Sequence, residues 1–564
     1  MNKLWMLDLQ TTVPKVLLFL LIVALSTALA LLPWKWAGLL LVSGVGFLLI
    51  LIRSQFALPF LALAVPFGSI REVPLGPMSI GAAELVIAFL CVSWLACMVA
   101  ARRILVPRAP LLLPLSLFLA AILLSTLVTT SLELSFKEII KWLEVTLIYC
   151  FMADVMDERW GQWVVWALLA AGSAEALVGV YQFLRRAGPE GFILFGRFMR
   201  AYGHFAQPNP FAGYLGLTLP LSYALLLETF SWLRRSMKAV LLGGAFILTF
   251  VAMLAAMIMS WSRGGWVGFA AALLVITAAR SRTARINAIV IGALVAYLLL
   301  IGGAQYLPPA LVQRLSDFIP YLSGIDVSRV EVTDANWAVV ERMAHWLAAI
   351  GMFSDHPWLG VGIGNYPVAY PQYALGRWRD ALGHAHNYYL NIAAEAGIIG
   401  LSAYLFLFGA CFAYAWRTLQ RLSELNAESV FSKPKGTRQP RKGILRFAQN
   451  DTVASQDNLR FAQSDTVASQ DNLCCAQSDT VASQDNFGTE APYGDEQAHM
   501  VMTLPRHSYW RAVTLGVLGM LVHLSVHNLF DNLFVHSMNV QLGLCLGLLA
   551  VAEKSAEGQH AHWH

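Results

Sequence analysis

Apolar residues along this chain fall into long blocks separated by short polar stretches. They do not recur every third or fourth position, as they would on the surface helices of a soluble domain. A block of about twenty apolar residues is the length a helix needs to cross a bilayer. About fourteen blocks fit that description, at 15–31, 36–52, 56–69, 82–100, 110–129, 138–153, 161–183, 210–228, 237–259, 264–280, 285–302, 397–417, 510–527 and 533–552. The third is short, and the sixth carries Lys141 and Glu144, so twelve to fourteen crossings are expected. The expected fold is an all-α polytopic membrane protein.

Composition supports this reading. Of the 564 residues, 57% are hydrophobic and 13% charged, with a mean hydropathy of +0.59. A soluble domain carries roughly 25% charged residues. The net charge of +5 adds little; the placement of the charges adds more. Basic loops stay on the cytoplasmic side, and A-R-R-I-L-V-P-R (101–108), W-L-R-R-S-M-K (232–238) and A-R-S-R-T-A-R (279–285) are such loops. With fourteen spans all three share one side with both termini. Met1 to Lys15 lacks the marks of a cleavable signal, so the block after it reads as a first span.

The expected organisation follows. Residues 1–302 form N-terminal membrane helices with short outer loops, and 303–396 form a large exoplasmic loop. A span at 397–417 leads to a cytoplasmic linker at 418–509, then helices at 510–552 and a tail at 553–564. The large loop contains D-H-P-W-L-G-V-G-I-G-N-Y (355–366), and Asn336 to Phe353 has helical periodicity, so it reads as a folded, partly helical cap. The linker holds a fourteen-residue repeat over 447–486, too polar to bury a core, and is expected to be disordered.

The seven cysteines have neither zinc-ligand spacing nor a disulfide framework. Candidate chemistry gathers instead in the segments expected outside. G-H-A-H-N-Y-Y-L (383–390) offers His384 and His386 as proton acceptors near neutral pH. Asn387 is a second candidate there, or the cap of the helix that follows. G-R-F-M-R (196–200) places Arg197 and Arg200 before a Pro-Asn-Pro helix start. Arginine forks around phosphate oxygens, although it also snorkels to lipid headgroups. S-W-S-R-G-G-W (260–266) puts Arg263 in a tight turn, with glycines expected to let backbone N–H groups approach a ligand. Arg342 and Trp346 either shape a groove or hold the cap together. His523, His527 and Asp531 recur at four-residue spacing, so one helix face is expected to carry all three, as a metal site, a proton relay or a network orienting His386.

Four of these stretches together resemble the O-antigen ligase and O-antigen polymerase superfamily of membrane glycosyltransferases. They are H-N-x9-G-I-I-G-L from His386, R-A-Y-G-H-F-A-Q-P-N-P-F-A-G-Y-L from Arg200, S-W-S-R-G-G-W around Arg263, and D-H-P-W-L-G-V-G-I-G-N-Y in the outer loop. They stand in family order over roughly residues 195 to 401. The resemblance implies transfer of a glycan from a polyprenyl-diphosphate carrier to a lipid, glycan or protein acceptor at the outer face of the cytoplasmic membrane. It implies inversion at the anomeric centre without metal, cofactor or nucleic acid. By matching position, His386 would be the general base, and Arg200 and Arg263 would hold the diphosphate. Arg197, Arg342, His384, Asn387, His527 and Asp531 remain secondary candidates. The competing expectation is a transporter of a small anion, which calls for internal repeats and broken helices near the midplane.

Overall fold

The computed structural model describes residues 26–27, 33–68, 73–75, 78–102, 109–231, 237–316, 327, 329–333, 336–431 and 504–557. The expected first span, the repeat, most of the linker, two of the basic loops and the end of the tail lie outside the described residues.

The described chain is a helical membrane protein. Its helices are α1 (Trp34–Ile52), α2 (Ala57–Gly68), α3 (Ala82–Ala101), α4 (Leu112–Ser125), α5 (Leu132–Val155), α6 (Glu158–Arg185), α7 (Pro208–Phe230), α8 (Met237–Met259), α9 (Arg263–Arg280) and α10 (Arg282–Leu300). The segment expected outside adds α11 (Pro309–Ser316), α12 (Trp337–Asp355) and α13 (Tyr366–Tyr373), followed by α14 (Tyr388–Phe431), α15 (Arg506–His527) and α16 (Met538–Glu557). Two small antiparallel pairs join Val73–Leu75 to Met78–Ile80 and Ile193–Leu194 to Phe198–Met199. Among the described residues, α3, α6, α7, α8, α14 and α15 are long and apolar enough to cross a membrane.

Local chemistry sets the helix ends. Asp157 caps α6 by accepting the Trp160 N–H at 2.9 Å. Pro208 opens α7, where its missing N–H costs nothing. Helices α7 and α15 are buried nearly all round and form the centre of the bundle. On the periphery, Leu85, Val92 and Val99 of α3 and Leu241, Leu248 and Ile258 of α8 are exposed. In a bilayer those rows face lipid.

The expected span 397–417 is one part of α14, which is 44 residues long and broken at Gly397 (φ 64°, ψ −163°). At about 1.5 Å per residue its second arm alone exceeds a roughly 30 Å hydrocarbon core. Any Cβ on Gly397 would collide with the Trp358 carbonyl oxygen. The break is therefore a crossing point for the D-H-P-W-L-G-V-G-I-G-N-Y run. The Ile398 N–H donates to the Pro357 carbonyl at 2.8 Å, and the Val361 N–H to the Ala394 carbonyl at 2.9 Å. At the far end of the run Asn365 is buried. Its Oδ1 accepts the Ser131 N–H at 2.7 Å, and its Nδ2 donates to Ser135 Oγ and the Ile363 carbonyl, both at 3.0 Å. This stretch fastens the segment between α10 and α14 to the α4–α5 corner.

The last expected span, 533–552, starts later than the pattern suggested. Helix α15 stops at His527, Asn528 caps it, and the Leu529 and Phe530 N–H groups close tight turns onto Val526 and His527. Asp531 therefore lies in the bend between α15 and α16. The expectation that His523, His527 and Asp531 share one helix face is corrected here: the two histidines do, and Asp531 does not.

Candidate active site

Three chain segments meet where α11 and α12 cap the bundle. The first is the loop before α7. Arg200 is held in place by its own surroundings: Nε donates to the Ser260 carbonyl and Nη2 to Asn209 Oδ1, both at 2.9 Å. The loop itself is pinned to α6. Gln182 Oε1 accepts the Gly203 N–H at 2.8 Å, and the fully buried Glu175 contacts His204 Nδ1 at 2.6 Å.

The second segment is the start of α9. Ser262 caps it, accepting the Gly265 N–H at 3.4 Å, and Arg263 is the first helical residue. The glycines serve packing: a Cβ on Gly264 would lie 2.5 Å from the His527 ring and one on Gly265 2.8 Å from Ala212. The third segment carries Arg314 on α11 and Arg342 and Trp346 on α12. Nε and Nη2 of Arg314 donate to the Trp261 carbonyl at 3.3 and 3.2 Å. Nη1 of Arg342 donates to the Ala338 carbonyl at 3.2 Å, and its buried Nε makes no hydrogen bond among the described residues.

Between these segments is a cavity of about 360 Å³. Arg263, Arg314, Arg342, Trp346, His527 and Asp531 all line it, as does Asn209, the residue that holds Arg200. Ser262 and Gly264 line it too, so the N-terminal end of α9 faces it. Helix N-termini carry partial positive charge and favour anions. The charge state of Arg200 reports the same field. Burial pushes its pKa down to about 9, and Arg314, Arg342 and Arg263 push in the same direction, while Asp531 opposes. Four guanidinium groups close enough to affect one another make a site that an anion stabilises.

His386 lies one side chain behind the cavity wall. Its backbone is in the left-handed region (φ 52°), uncommon for a residue with a side chain. The surroundings hold it there. The His386 N–H donates to His384 Nδ1 at 3.1 Å, and Trp346 Nε1 donates to the His386 carbonyl at 3.3 Å. His386 Nδ1 faces Asp531 Oδ1 at 3.4 Å, and Nε2 is buried without a partner among the described residues. Burial pushes the Asp531 carboxyl up, but the hydrogen bond from His386 and the positive charge of Arg342 more than reverse this and hold it well below the usual carboxylate range. A carboxylate on Nδ1 keeps the proton on that nitrogen and leaves the lone pair on Nε2. His345 and His384 are depressed to about 4, chiefly by burial and then by His386, and are neutral at pH 7.

Asn387 proves to be the helix cap, accepting the Leu390 N–H at 3.1 Å. Arg197 is exposed and stacks on Phe198 with 5.3 Å to the ring centroid, away from the cavity. Arg314 has no counterpart among the sequence expectations. Its signal was a lone arginine on a short amphipathic stretch, P-A-L-V-Q-R-L-S, in a segment otherwise read only as a cap. His384, His386 and Asp531 place ligand atoms within 4.8 Å of one another, as a metal set would. His384 Nδ1 and Asp531 Oδ1 already accept backbone N–H groups from His386 and Asn532.

Residues 248–405 match the O-antigen ligase family. This stretch is similar to the O-antigen ligase domain. The matched stretch runs from α8 into α14, and so contains Arg263, Arg314, Arg342, His384 and His386. Arg200 and Asp531 lie outside the O-antigen ligase match, and the fold brings both to it. The chain is a multi-pass membrane protein, and its matched stretch is similar to a family of glycan-transferring membrane enzymes. No curated protein matches the chain.

Proposed function

We propose that the protein transfers a glycan from a polyprenyl-diphosphate carrier to a lipid, glycan or protein acceptor at the outer face of the cytoplasmic membrane, with both termini inside. The observation that carries this reading is the cavity in which three arginines, a helix N-terminus and the Arg200–Asn209 pair converge, one side chain away from His386. A diphosphate leaving group needs fixed positive charge where its own charge develops, and preorganised donors in a partly dry site supply it at little reorganisation cost. Arg200 and Arg263 bind the diphosphate in this reading, with Arg342 beside them. His386 Nε2 takes the proton from the acceptor hydroxyl, whose oxygen bonds to the anomeric carbon as the bond to the diphosphate oxygen breaks. Attack opposite the leaving group inverts the centre. The arginines provide the charge that a metal ion supplies in other phosphate chemistry. Asp531 stabilises the imidazolium that forms.

The test is glycan transfer by the full chain in reconstituted membranes. His386→Ala is expected to lower the rate by about 10³-fold with the thermal unfolding midpoint unchanged; full activity in that variant overturns the base assignment. Arg263→Gln and Arg200→Gln are each expected to weaken binding of the lipid diphosphate by about tenfold or more, since hydrogen bonds to charged groups contribute about 1.5–3 kcal/mol. Unchanged affinity in both overturns the diphosphate site.

A further inference from the structure

Two imidazoles in the membrane bundle play no part in the reaction just described. His523 and His527 sit one turn apart on α15 and are 0% and 1% exposed. The bundle makes room for them through glycines. A Cβ on Gly216 of α7 would fall inside the His523 ring. One on Gly268 of α9 would lie 2.9 Å from His523 Nδ1, and one on Gly264 2.8 Å from His527 Nε2. Three small residues on two helices are thus given over to a histidine pair where leucines would pack without polar cost.

The pair has a definite hydrogen-bonding geometry. His527 Nδ1 lies 3.3 Å from His523 Nε2, with the rings edge to face at 88°. His523 Nδ1 is buried with no partner among the described residues. One proton lies between the two facing nitrogens. If His527 gave it, a neutral His523 would carry its own proton on Nδ1, an N–H buried without an acceptor, which costs about 1–3 kcal/mol. If His523 gives it, the buried Nδ1 is a bare lone pair, and His527 carries its proton on Nε2. That atom lies at the Gly264 wall of the cavity, next to Arg263.

We propose that His527 binds an anionic oxygen of the lipid diphosphate through its Nε2–H, and that His523 is a positioning residue that fixes the tautomer making this possible. The inference rests on the reading of the cavity as the diphosphate site. A neutral donor suits the place. Four guanidinium groups already repel one another there, and an imidazole adds a hydrogen bond without a fifth fixed charge.

The experiment uses the full chain in lipid nanodiscs with ¹⁵N-labelled histidine, whose ring shifts report which nitrogen is protonated. The His527 signal, assigned by its loss in His527→Gln, is expected to show the proton on Nε2; a proton on Nδ1 alone overturns the proposal. In parallel, undecaprenyl diphosphate is titrated into variants. His527→Phe is expected to lose about tenfold in affinity. His527→Gln, whose amide N–H reaches the same place, is expected to lose less than threefold. No loss in the Phe variant, or equal loss in both, overturns the role of His527. Arg263→Gln separates the two readings: if it weakens binding while His527→Phe does not, only this inference fails. If neither variant weakens binding, the diphosphate site fails with it.

Discussion

Two polar stretches of the segment between α10 and α14 look equally promising as text, and the structure uses them in opposite ways. The D-H-P-W-L-G-V-G-I-G-N-Y run spends its polarity on itself. Asn365 satisfies both ends of its amide against Ser131, Ser135 and Ile363, and the backbone crosses α14 at the Gly397 break. The G-H-A-H-N stretch leaves polarity unspent. His386 Nε2 is buried and unpartnered among the described residues, and a charged cavity lies one side chain away. Polar residues that satisfy one another stabilise a junction. Polar residues held in place but left incomplete are, in the function proposed above, poised for a substrate. Hydrogen-bond completeness separates the two stretches better than residue type does.

The sharpest way to break this comparison is at Gly397. Gly397→Ala puts a Cβ against the Trp358 carbonyl in a backbone region that essentially only glycine occupies. It is expected to cost about 3 kcal/mol or more and to lower transfer only in step with the folded fraction, read by thermal unfolding beside activity per folded molecule. A variant that folds normally but has lost activity would move the break from the junction to the chemistry. Asp531→Asn should do the reverse. The fold is expected to hold while the rate falls by about a hundredfold or more, because the amide no longer stabilises an imidazolium or enforces one tautomer. A rate within threefold of the parent removes Asp531 from the mechanism.

Asn365→Ala is a smaller perturbation on the closed side. It leaves the Ser131 N–H without its acceptor, and a loss of about 2 kcal/mol in stability with an unchanged rate constant per folded molecule is expected from denaturation and kinetics together. The smallest effect is in pH. His345 and His384 are depressed from an ordinary value near 6.5 to about 4 in the folded protein, first by burial. The unfolded chain therefore takes up protons that the folded one refuses. Their contribution is complete above about pH 6.5 and is lost as pH falls towards 4. A falling unfolding midpoint over that window, flattened in His384→Gln, is the expected result.

The sequence made the helices legible because lipid imposes a length that shows as a block of apolar letters. Expected spans such as 210–228 and 237–259 fall within a few residues of α7 and α8. His386, Arg200 and Arg263 stood out as candidates in the sequence because charged and titratable residues are costly at a membrane boundary. The pairing of His386 with Asp531 was not. Four-residue spacing pointed to a helix face, whereas Asn528 ends α15 first and turns Asp531 towards a partner 145 residues earlier. Arg314 was not legible either, since its place depends on how α11 lies against Trp261.

The His386–Asp531 pair also divides the chain in an unexpected way. One member stands at the beginning of α14 and the other just past the end of α15, with the Tyr388 N–H donating to the Asn528 carbonyl at 2.8 Å between them. The connection from Phe431 to Arg506 joins the opposite ends of those two helices. Covalent continuity through that connection is then not what brings base and carboxylate together; helix docking is. The protein should work as a two-piece enzyme: fragments 1–431 and 504–564, made separately in one membrane, would each be inert and would regain transfer on assembly.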